Sequence, residues 1–153
     1  MDFQTPLLIC YYMVSLMPNF GNKRILEPTP GEGNILKAIR ARNGIPVYPI
    51  TDFWDMKHSE KYFGVVMNPP FSPMKDGYKF LYSCMELSDN IVALMPWLTL
   101  INGEKRTKDI FNFGLISVTH LPRNIFKGSR VQCCILQMKK DYKEDTKFYN
   151  YGS

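Results

Sequence analysis

The segment Leu26-Glu27-Pro28-Thr29-Pro30-Gly31-Glu32-Gly33-Asn34 contains the turn that decides the fold. Residues 24–27 predict a short strand, and residues 34–42 have the spacing of an amphipathic helix. The two glycines let the backbone approach a ligand closely, and the turn directs that ligand to the positive end of the helix. The sequence therefore predicts a strand, a ligand-binding glycine turn and a helix in succession.

The rest of the chain alternates short apolar runs with helical patterns, which indicates an α/β sheet. Strands are predicted at residues 24–27, 47–50, 62–67, 91–95, 115–121 and 131–139, and helices at residues 7–17, 34–42, 75–87 and 107–113. The first helix follows Thr5 and Pro6, which predict a hydroxyl cap and a proline in the first turn. Only about nine residues join the last two strands, too few for a crossover helix, so an antiparallel pair is expected at the C-terminal end of a mostly parallel sheet.

Length and composition set the size of the fold and the class of protein. At 153 residues with 45% hydrophobic content, one domain is expected over residues 1–140, with a polar, frayed tail over residues 141–153. The four cysteines lack CxxC spacing and histidine companions, so no metal site and no disulfide framework are expected. The apolar run 7–17 is preceded by Asp2 rather than by positive charge and is too short to span a bilayer. We therefore expect a cytoplasmic protein without membrane contact, in the host cytoplasm if the source is a virus.

An acid follows the glycine turn at an informative distance. Asp52 stands nineteen residues after Gly33, at the end of the predicted second strand, where a Rossmann-type acid reaches ribose hydroxyls. Leu36 occupies the position of the third glycine in G-x-G-x-x-G, which argues against NAD, and no G-K-[ST] follows, which argues against a P-loop ATPase. Two glycines alone are usually only a tight turn, so the prediction of a nucleoside ligand depends on the pair of features.

The loop Asn68-Pro69-Pro70-Phe71 ends the predicted third strand at its carboxyl end, where open α/β sheets bind ligands. The Asn68 side-chain oxygen and the Pro69 carbonyl are two acceptors for the hydrogens of one amino group, and Phe71 is placed to stack on a planar ring. An aromatic amine is a poor nucleophile because its lone pair is delocalised, and two acceptors favour its reactive pyramidal form. The loop predicts methyl transfer from a sulfonium to such an amine, without a metal. The alternative is that it is only a rigid turn.

Together these motifs resemble the amino-methyltransferases of the Rossmann-like class, and most closely the S-adenosylmethionine-dependent adenine-N6 DNA methyltransferases. The matching pieces are Asp2-Phe3-Gln4-Thr5-Pro6, the glycine turn, the Asn68 loop, and a closing β-hairpin formed by residues 121–126 and 131–140. They cover nearly the whole chain. The resemblance implies the class I methyltransferase fold, S-adenosyl-L-methionine as cofactor, and methylation of the N6 amino group of adenine in DNA.

The resemblance also implies roles for individual residues. The expected cofactor-binding residues are Thr5, Pro6, Glu27, Pro28, Gly31, Gly33, Asp52, Phe53, Asp55 and Asn68, and the expected catalytic residues are Asn68, Pro69, Pro70 and Phe71. Thr5 and Pro6 would touch the methionine end of the cofactor, and Glu27 would face its amino group. Two assignments stay open for the adenine of the cofactor. Either Asp55 meets its amino group, or Asp52 does so and Phe53 packs on the ring.

Two departures from the family pattern affect the expected sheet and substrate. Only nine residues separate Asp52 from Tyr62, where the family usually has another helix and strand, so the sheet is expected to be one strand short. No separate target-recognition domain fits in the chain, so recognition is expected to be weak, or to come from a partner subunit or a second copy. The same loop chemistry leaves three other functions open: methylation of guanine or adenine amino groups in RNA, methylation of a protein glutamine, and an inactive nucleic-acid-binding subunit.

Basic residues suggest a nucleic-acid substrate, since nineteen Lys and Arg against fourteen Asp and Glu give a net charge of +5. Extruding a base from a duplex requires anchored flanking phosphates. The expected substrate-binding residues are Lys75, Lys105, Arg106, Lys108, Arg123, Lys127 and Arg130. For each of them a solvated surface position is the alternative.

Overall fold

The computed structural model describes residues 5–126 and 131–152. Its helices are α1 (Leu7–Ser15), α2 (Asn34–Ala41), α3 (Met74–Leu87), α4 (Leu98–Ile101) and α5 (Glu104–Phe113), with 3₁₀ turns at Phe53–Asp55 and Arg123–Ile125. Its strands are β1 (Arg24–Leu26), β2 (Ile45–Val47), β3 (Gly64–Met67), β4 (Asn90–Pro96), β5 (Leu115–His120), β6 (Cys133–Lys139) and β7 (Lys147–Asn150). No helix within the described ranges is both long enough and apolar enough to cross a membrane. Asp2, Phe3 and Gln4 of the N-terminal motif, and the candidate cations Lys127 and Arg130, lie outside the described residues.

The strands form one mixed sheet in the order β2-β1-β3-β4-β6-β5-β7. β1 pairs in parallel with β2 and β3, β3 pairs in parallel with β4, and β6 runs antiparallel to both of its neighbours. The chain runs outward from β1 to β2 and then crosses back to β3 on the other side of β1, so the strand order reverses between β1 and β3. Open α/β sheets bind ligands at such a point, beyond the carboxyl ends of the strands.

Two apolar clusters cover the two faces of the sheet. On one face, Ile9 and Met13 of α1 and Ile39 of α2 pack over the sheet, and on the other, Leu81 of α3 and Ile110 of α5 do so. Neighbouring strand residues alternate between the clusters, because successive side chains of a strand point to opposite faces. All four residues of β3 are buried, as expected for a central strand covered by helices on both sides.

The predicted alternation of strands and helices is confirmed, and the differences have local causes. β2 occupies Ile45–Val47 rather than residues 47–50, so Val47 is the residue that the predicted and observed ranges share. α1 begins after Pro6 without a side-chain cap, so the predicted hydroxyl cap is wrong. The Thr5 hydroxyl instead accepts a hydrogen bond from Asn68, 63 residues away in the sequence.

The C-terminal segment differs from the predicted frayed tail. β7 pairs in parallel with β5 along its whole length, although all four of its residues are exposed. Tyr151 continues the attachment, with its ring 5.2 Å from that of Tyr12 in α1. The segment is polar, as predicted, but backbone pairing with β5 rather than side-chain burial orders it.

The short connection after Asp52 leaves β2 at one edge of the sheet, and only the 3₁₀ turn Phe53–Asp55 is formed there. Residues 48–61, all of which the structure describes, contain no strand. The sheet nevertheless has seven strands, because β7 adds one at the opposite edge. The ring of Trp54 lies 4.9 Å from those of Phe53 and Phe80 and forms an aromatic cluster with them.

Candidate active site

A cavity of about 630 Å³ opens where the strand order reverses. Its floor is formed by the loops that leave β1 and β3 at their carboxyl ends, and its far wall by Phe126, Val131 and Cys133. Both motifs singled out in the sequence, the glycine turn and the Asn68 loop, therefore open into one cavity. The topology alone brings them together, since they are far apart in the chain.

Glu27 follows β1 directly and is completely buried at the bottom of the cavity. Its Oε1 accepts hydrogen bonds from the backbone N–H of Thr29 at 2.7 Å and from the Thr29 hydroxyl at 3.3 Å. Its Oε2 has no partner among residues 5–126 and 131–152. Burial raises the pKa of Glu27 to about 8, although the two bonds from Thr29 lower it. A buried acceptor left unpaired beside a cavity is suited to a cationic or hydrogen-bonding ligand.

Asn68 follows β3 directly, and its side-chain amide is held from the N-terminal segment. Its Nδ2 donates to the Thr5 hydroxyl at 2.5 Å, while the Thr5 carbonyl accepts from Asn34 Nδ2 at 2.9 Å. No hydrogen bond within the described part of the chain reaches Asn68 Oδ1. Because Thr5 occupies the donor end of the amide, the acceptor end remains available to a ligand.

Thr29 connects the two halves of the site. The Thr29 hydroxyl lies 3.3 Å from Glu27 Oε1 and 3.2 Å from the backbone carbonyl oxygen of Asn68, and its single proton is shared between these two acceptors. The acid at the end of β1 and the backbone of Asn68 at the end of β3 are therefore connected through one side chain. Such a network positions polar groups without relying on long flexible side chains.

The Pro69-Pro70-Phe71 turn lies between the Asn68 amide and helix α3. Pro69 is buried, and the partly exposed Phe71 ring packs against the apolar clusters on both faces of the sheet. Both residues line the cavity, together with Phe126. The arrangement places hydrogen-bond acceptors beside apolar aromatic surface, which is the combination that holds a flat, amine-bearing ring.

Another part of the cavity is lined by the segment after β2. Pro49, Ile50, Thr51, Asp52 and Phe53 line it from one side, and Phe80 of α3 lines it from another. The Ile50 side chain is 96% exposed, an unusual state for isoleucine. Asp52 Oδ1 accepts the backbone N–H of Trp54 at 3.1 Å and so caps the 3₁₀ turn. An apolar wall with one carboxylate suits a nucleoside.

Neither a protein-family profile nor a curated protein sequence matches this chain, but solved structures match it in fold. The methyltransferase subunit of the type I restriction-modification system from Streptococcus thermophilus has a TM-score of 0.74 and 17% identity, over 97% of this chain and 47% of that one. A protein from Vibrio vulnificus YJ016, described as the modification subunit of a type I restriction enzyme, has a TM-score of 0.73 and 16% identity, over 99% and 48%. A protein from Listeria monocytogenes, described as a class I S-adenosylmethionine-dependent methyltransferase, has a TM-score of 0.72 and 14% identity, over 98% and 66%.

The chain has the class I methyltransferase fold. It spans about half the length of the two type I subunits. The predicted fold class, a Rossmann-like α/β fold that is mostly parallel with a C-terminal antiparallel pair, is confirmed.

Within this class I fold, most of the expected cofactor-binding and catalytic residues line the cavity. They are Thr5, Glu27, Pro28, Gly31, Asp52, Phe53, Asn68, Pro69, Pro70 and Phe71. Gly33 does not line it; with φ of 92° it precedes α2 in a backbone conformation that favours glycine. Pro6 precedes α1, and Asp55 ends the 3₁₀ turn outside the cavity lining. Of the residues in the two assignments left open, Asp52 and Phe53 line the cavity and Asp55 does not.

Each cation of the basic segment 105–108 has a partner within the protein, although Lys105 and Lys108 are exposed. Arg106 donates to the carbonyls of Thr99, Leu98 and Asn102 at 2.8 to 3.1 Å, and its Cζ lies 3.7 Å from the Tyr78 ring centre. Lys105 and Lys108 form ion pairs within α5, with Asp109 and Glu104. Arg106 closes the end of α4, which the sequence did not predict as a helix.

The other candidate cations that the structure describes are Lys75 in the first turn of α3 and Arg123 in the 3₁₀ turn after β5, both exposed. Lys75 follows the Asn68 loop closely, and Arg123 lies just before the cavity residue Phe126. They remain candidates for phosphate contacts at the rim.

Sequence reasoning missed four residues that shape the site: Thr29, Ile50, Phe80 and Phe126. Thr29 lies within the quoted glycine turn, two residues after the acid, where a hydroxyl is suited to a short turn. Phe80 carries no local signal, because a buried aromatic on an amphipathic helix normally belongs to the core. Ile50 was assigned to a strand, and its exposure at the rim depends on where β2 ends.

Proposed function

We propose that this protein is an S-adenosylmethionine-dependent methyltransferase that acts on an exocyclic amino group, the N6 of adenine in DNA. The observation that carries the proposal is the pair of Glu27 and Asn68, connected through Thr29 in one cavity. The class I fold supports it, as do the names of the solved proteins that share this fold.

The residues present fit the cofactor. The unpaired buried Oε2 of Glu27 would accept from the α-ammonium group of the methionine part, which would supply the missing partner. Gly31, with φ of 53°, would let the turn lie close to the same end. Asp52 would accept from the ribose hydroxyls, while Ile50 and Phe53 would cover the faces of the adenine. S-adenosyl-L-methionine supplies an electrophilic methyl group when bound.

The chain's own part in the reaction is to orient and activate the amine. Asn68 Oδ1 and the Pro69 carbonyl each accept a hydrogen bond from the target amino group. These two bonds favour the pyramidal form of the nitrogen and expose its lone pair. Thr5 fixes the direction of the amide by occupying Nδ2. Phe71 stacks on the ring, and Phe126 closes the apolar side. Positioning of this kind contributes several orders of magnitude to a rate.

DNA is the proposed partner because of the net positive charge and the resemblance to adenine-N6 enzymes. The alternatives are an RNA base, a protein glutamine, and an inactive binding subunit. A second copy or a partner subunit is the proposed source of target recognition.

The test is incubation with cofactor labelled in the methyl group and with duplex DNA, RNA or a protein mixture in parallel. We expect label in DNA, recovered as N6-methyladenine after digestion to nucleosides. Label only in RNA or only in protein would contradict the assignment to DNA. Calorimetric titration that detects no cofactor binding would contradict the enzymatic function as a whole.

Asn68→Ala is expected to lower turnover at least 100-fold, because the partner of Oδ1 is the target amine, while the cofactor affinity changes by less than about threefold. Turnover is measured with the labelled cofactor, and affinity by calorimetry. Asn112→Ala is the matched control, since Asn112 is exposed on α5 and does not line this cavity. Equal turnover in wild type and Asn68→Ala would contradict the role of Asn68 in orienting the target amine.

A further inference from the structure

Gly77 lies in the buried face of α3, four residues into the helix and directly beneath the Pro69-Pro70-Phe71 turn. Glycine is a poor helix former, and this one is not required by the backbone, because its φ lies in the ordinary range. Another cause must therefore explain a glycine at this position.

The cause is the distance between the helix and the turn. A Cβ at position 77 would lie 2.9 Å from the Pro70 carbonyl oxygen, 3.5 Å from Phe71 Cδ1 and 3.8 Å from Pro69 Cγ. The nearest atom belongs to the backbone and cannot rotate away as a side chain would. Any larger residue therefore has to displace either α3 or the turn.

α3 is not free to move. Its Phe80, Leu81 and Cys84 are buried in the cluster that covers this face of the sheet. A helix held by three buried side chains resists displacement, so we expect the conflict to shift the turn, whose Pro70 and Phe71 are only partly buried. This turn carries the Pro69 carbonyl and the Phe71 ring.

We infer that Gly77 is a positioning residue for the reaction: the missing side chain lets α3 support the Asn68 loop at contact distance and fixes the Pro69 carbonyl and Phe71 relative to the cavity. This inference rests on the proposed methyl transfer. Gly77 itself touches neither substrate nor cofactor, and it acts through the turn.

The test compares Gly77→Ala with Gly21→Ala, a control in which the added Cβ meets no atom within 4 Å. For Gly77→Ala we expect a 10- to 100-fold loss of kcat, since small misplacements of reacting groups have effects of that size. The cofactor affinity should stay within about threefold of wild type, because Glu27 and Asp52 lie on other loops. Gly77→Ser should lose more than Gly77→Ala, and Gly21→Ala should match wild type.

Hydrogen exchange at the amides of Asn68 and Phe71 provides a readout that does not depend on activity. We expect faster exchange at these amides in Gly77→Ala and unchanged exchange in the strands. Unchanged exchange at both amides, or unchanged kcat despite a shifted loop, would overturn the inference. A wild-type protein that labels no acceptor would instead contradict the proposed function, and with it the catalytic meaning of Gly77, while the exchange result would still test the steric contact. Loss of exchange protection throughout the protein would show that Gly77 serves stability in general, which also overturns the inference.

Discussion

The carboxyl group of Glu27 is buried without ion pairing in the part of the chain that the structure describes, and desolvation raises its pKa from the usual 4.5 to about 8. In the unfolded chain the same group ionises near its ordinary value. The folded protein therefore binds the proton more tightly than the unfolded chain does. The contribution of the protonated Glu27 carboxyl to the free energy of unfolding is complete below pH 4.5 and is lost as the pH rises through about 8.

Cofactor binding should therefore release a proton. An α-ammonium group beside Glu27 favours the ionised carboxylate, so at pH 7 on the order of one proton should leave per cofactor bound. The measurement is calorimetric titration in two buffers of different ionisation enthalpy. Equal heats in the two buffers would contradict both the raised pKa and the contact with the ammonium group.

Glu32 provides the matched control for Glu27. It lies in the same turn, between Gly31 and Gly33, but is exposed. Glu32→Gln should retain the proton release and the cofactor affinity. Glu27→Gln should abolish the release and weaken the affinity at least tenfold, since it removes the carboxylate from the ammonium group.

At the scale of elements, the junction of α4 and α5 depends on Arg106. Its guanidinium donates hydrogen bonds to three backbone carbonyls at the end of α4, and it packs on the Tyr78 ring of α3. A four-residue helix has little stability of its own, because nucleation is unfavourable and few hydrogen bonds are completed. The contacts of Arg106 in the structure are thus with the fold itself, and its role as a phosphate contact stays a prediction.

Arg106→Met is expected to lower the free energy of unfolding by about 1 to 3 kcal/mol, through lost charge-assisted hydrogen bonds and the lost contact with Tyr78. Lys108→Met should change it by about 0.5 kcal/mol or less, since its pair with Glu104 is exposed and within one helix. Both values come from urea unfolding. An Arg106→Met protein with wild-type stability and weakened DNA binding would instead support a contact between Arg106 and a phosphate.

The edge strands illustrate two ways of completing a sheet. β2 is one edge and contains Pro46, which cannot donate a ladder hydrogen bond and so discourages a further strand. β7 is the other edge and begins with Lys147, and the charge has a similar effect. The shortened segment after β2 is thus compatible with a sheet of seven strands, because the additional strand comes from the C-terminal segment.

For the molecule as a whole, the proposed DNA affinity should be strongly salt-dependent. Each phosphate contact contributes a slope of about −0.9 to the plot of log K against log salt. Lys75→Gln and Arg123→Gln should each reduce the measured slope by about 1, because both cations lie near the cavity. Fluorescence anisotropy with a labelled duplex gives the slopes.

Lys140→Gln is the control for this measurement. Lys140 is exposed, and its backbone N–H donates to the carbonyl of Asp89 just before β4, which places it beside the amino end of β4, whereas the cavity lies at the carboxyl ends of the parallel strands. Its slope should equal that of wild type. Equal slopes in all four proteins would exclude Lys75 and Arg123 as phosphate contacts and leave Lys127 and Arg130, which lie outside the described residues, to be tested.

The sequence by itself determined the fold class and the two loops of the site. Local chemistry was sufficient for this: Pro69 and Pro70 end a strand wherever it lies, and Gly33 permits a backbone conformation that few other residues adopt. The buried run of β3 and the amphipathic spacing of α2 likewise depend only on neighbouring residues. Asp52 was found in the same way, from its distance to the glycine turn.

The tertiary structure alone decided how these parts are held. Thr5 has the sequence signature of a helix cap, yet its hydroxyl bonds to the Asn68 side chain, which the fold brings next to it. Arg106 has the signature of a phosphate ligand, yet three carbonyls surround it, and β7 has the composition of a tail, yet β5 offers it a row of unpaired backbone groups. In each case the partner is remote in the sequence, and a polar group is satisfied by whichever partner the fold brings closest.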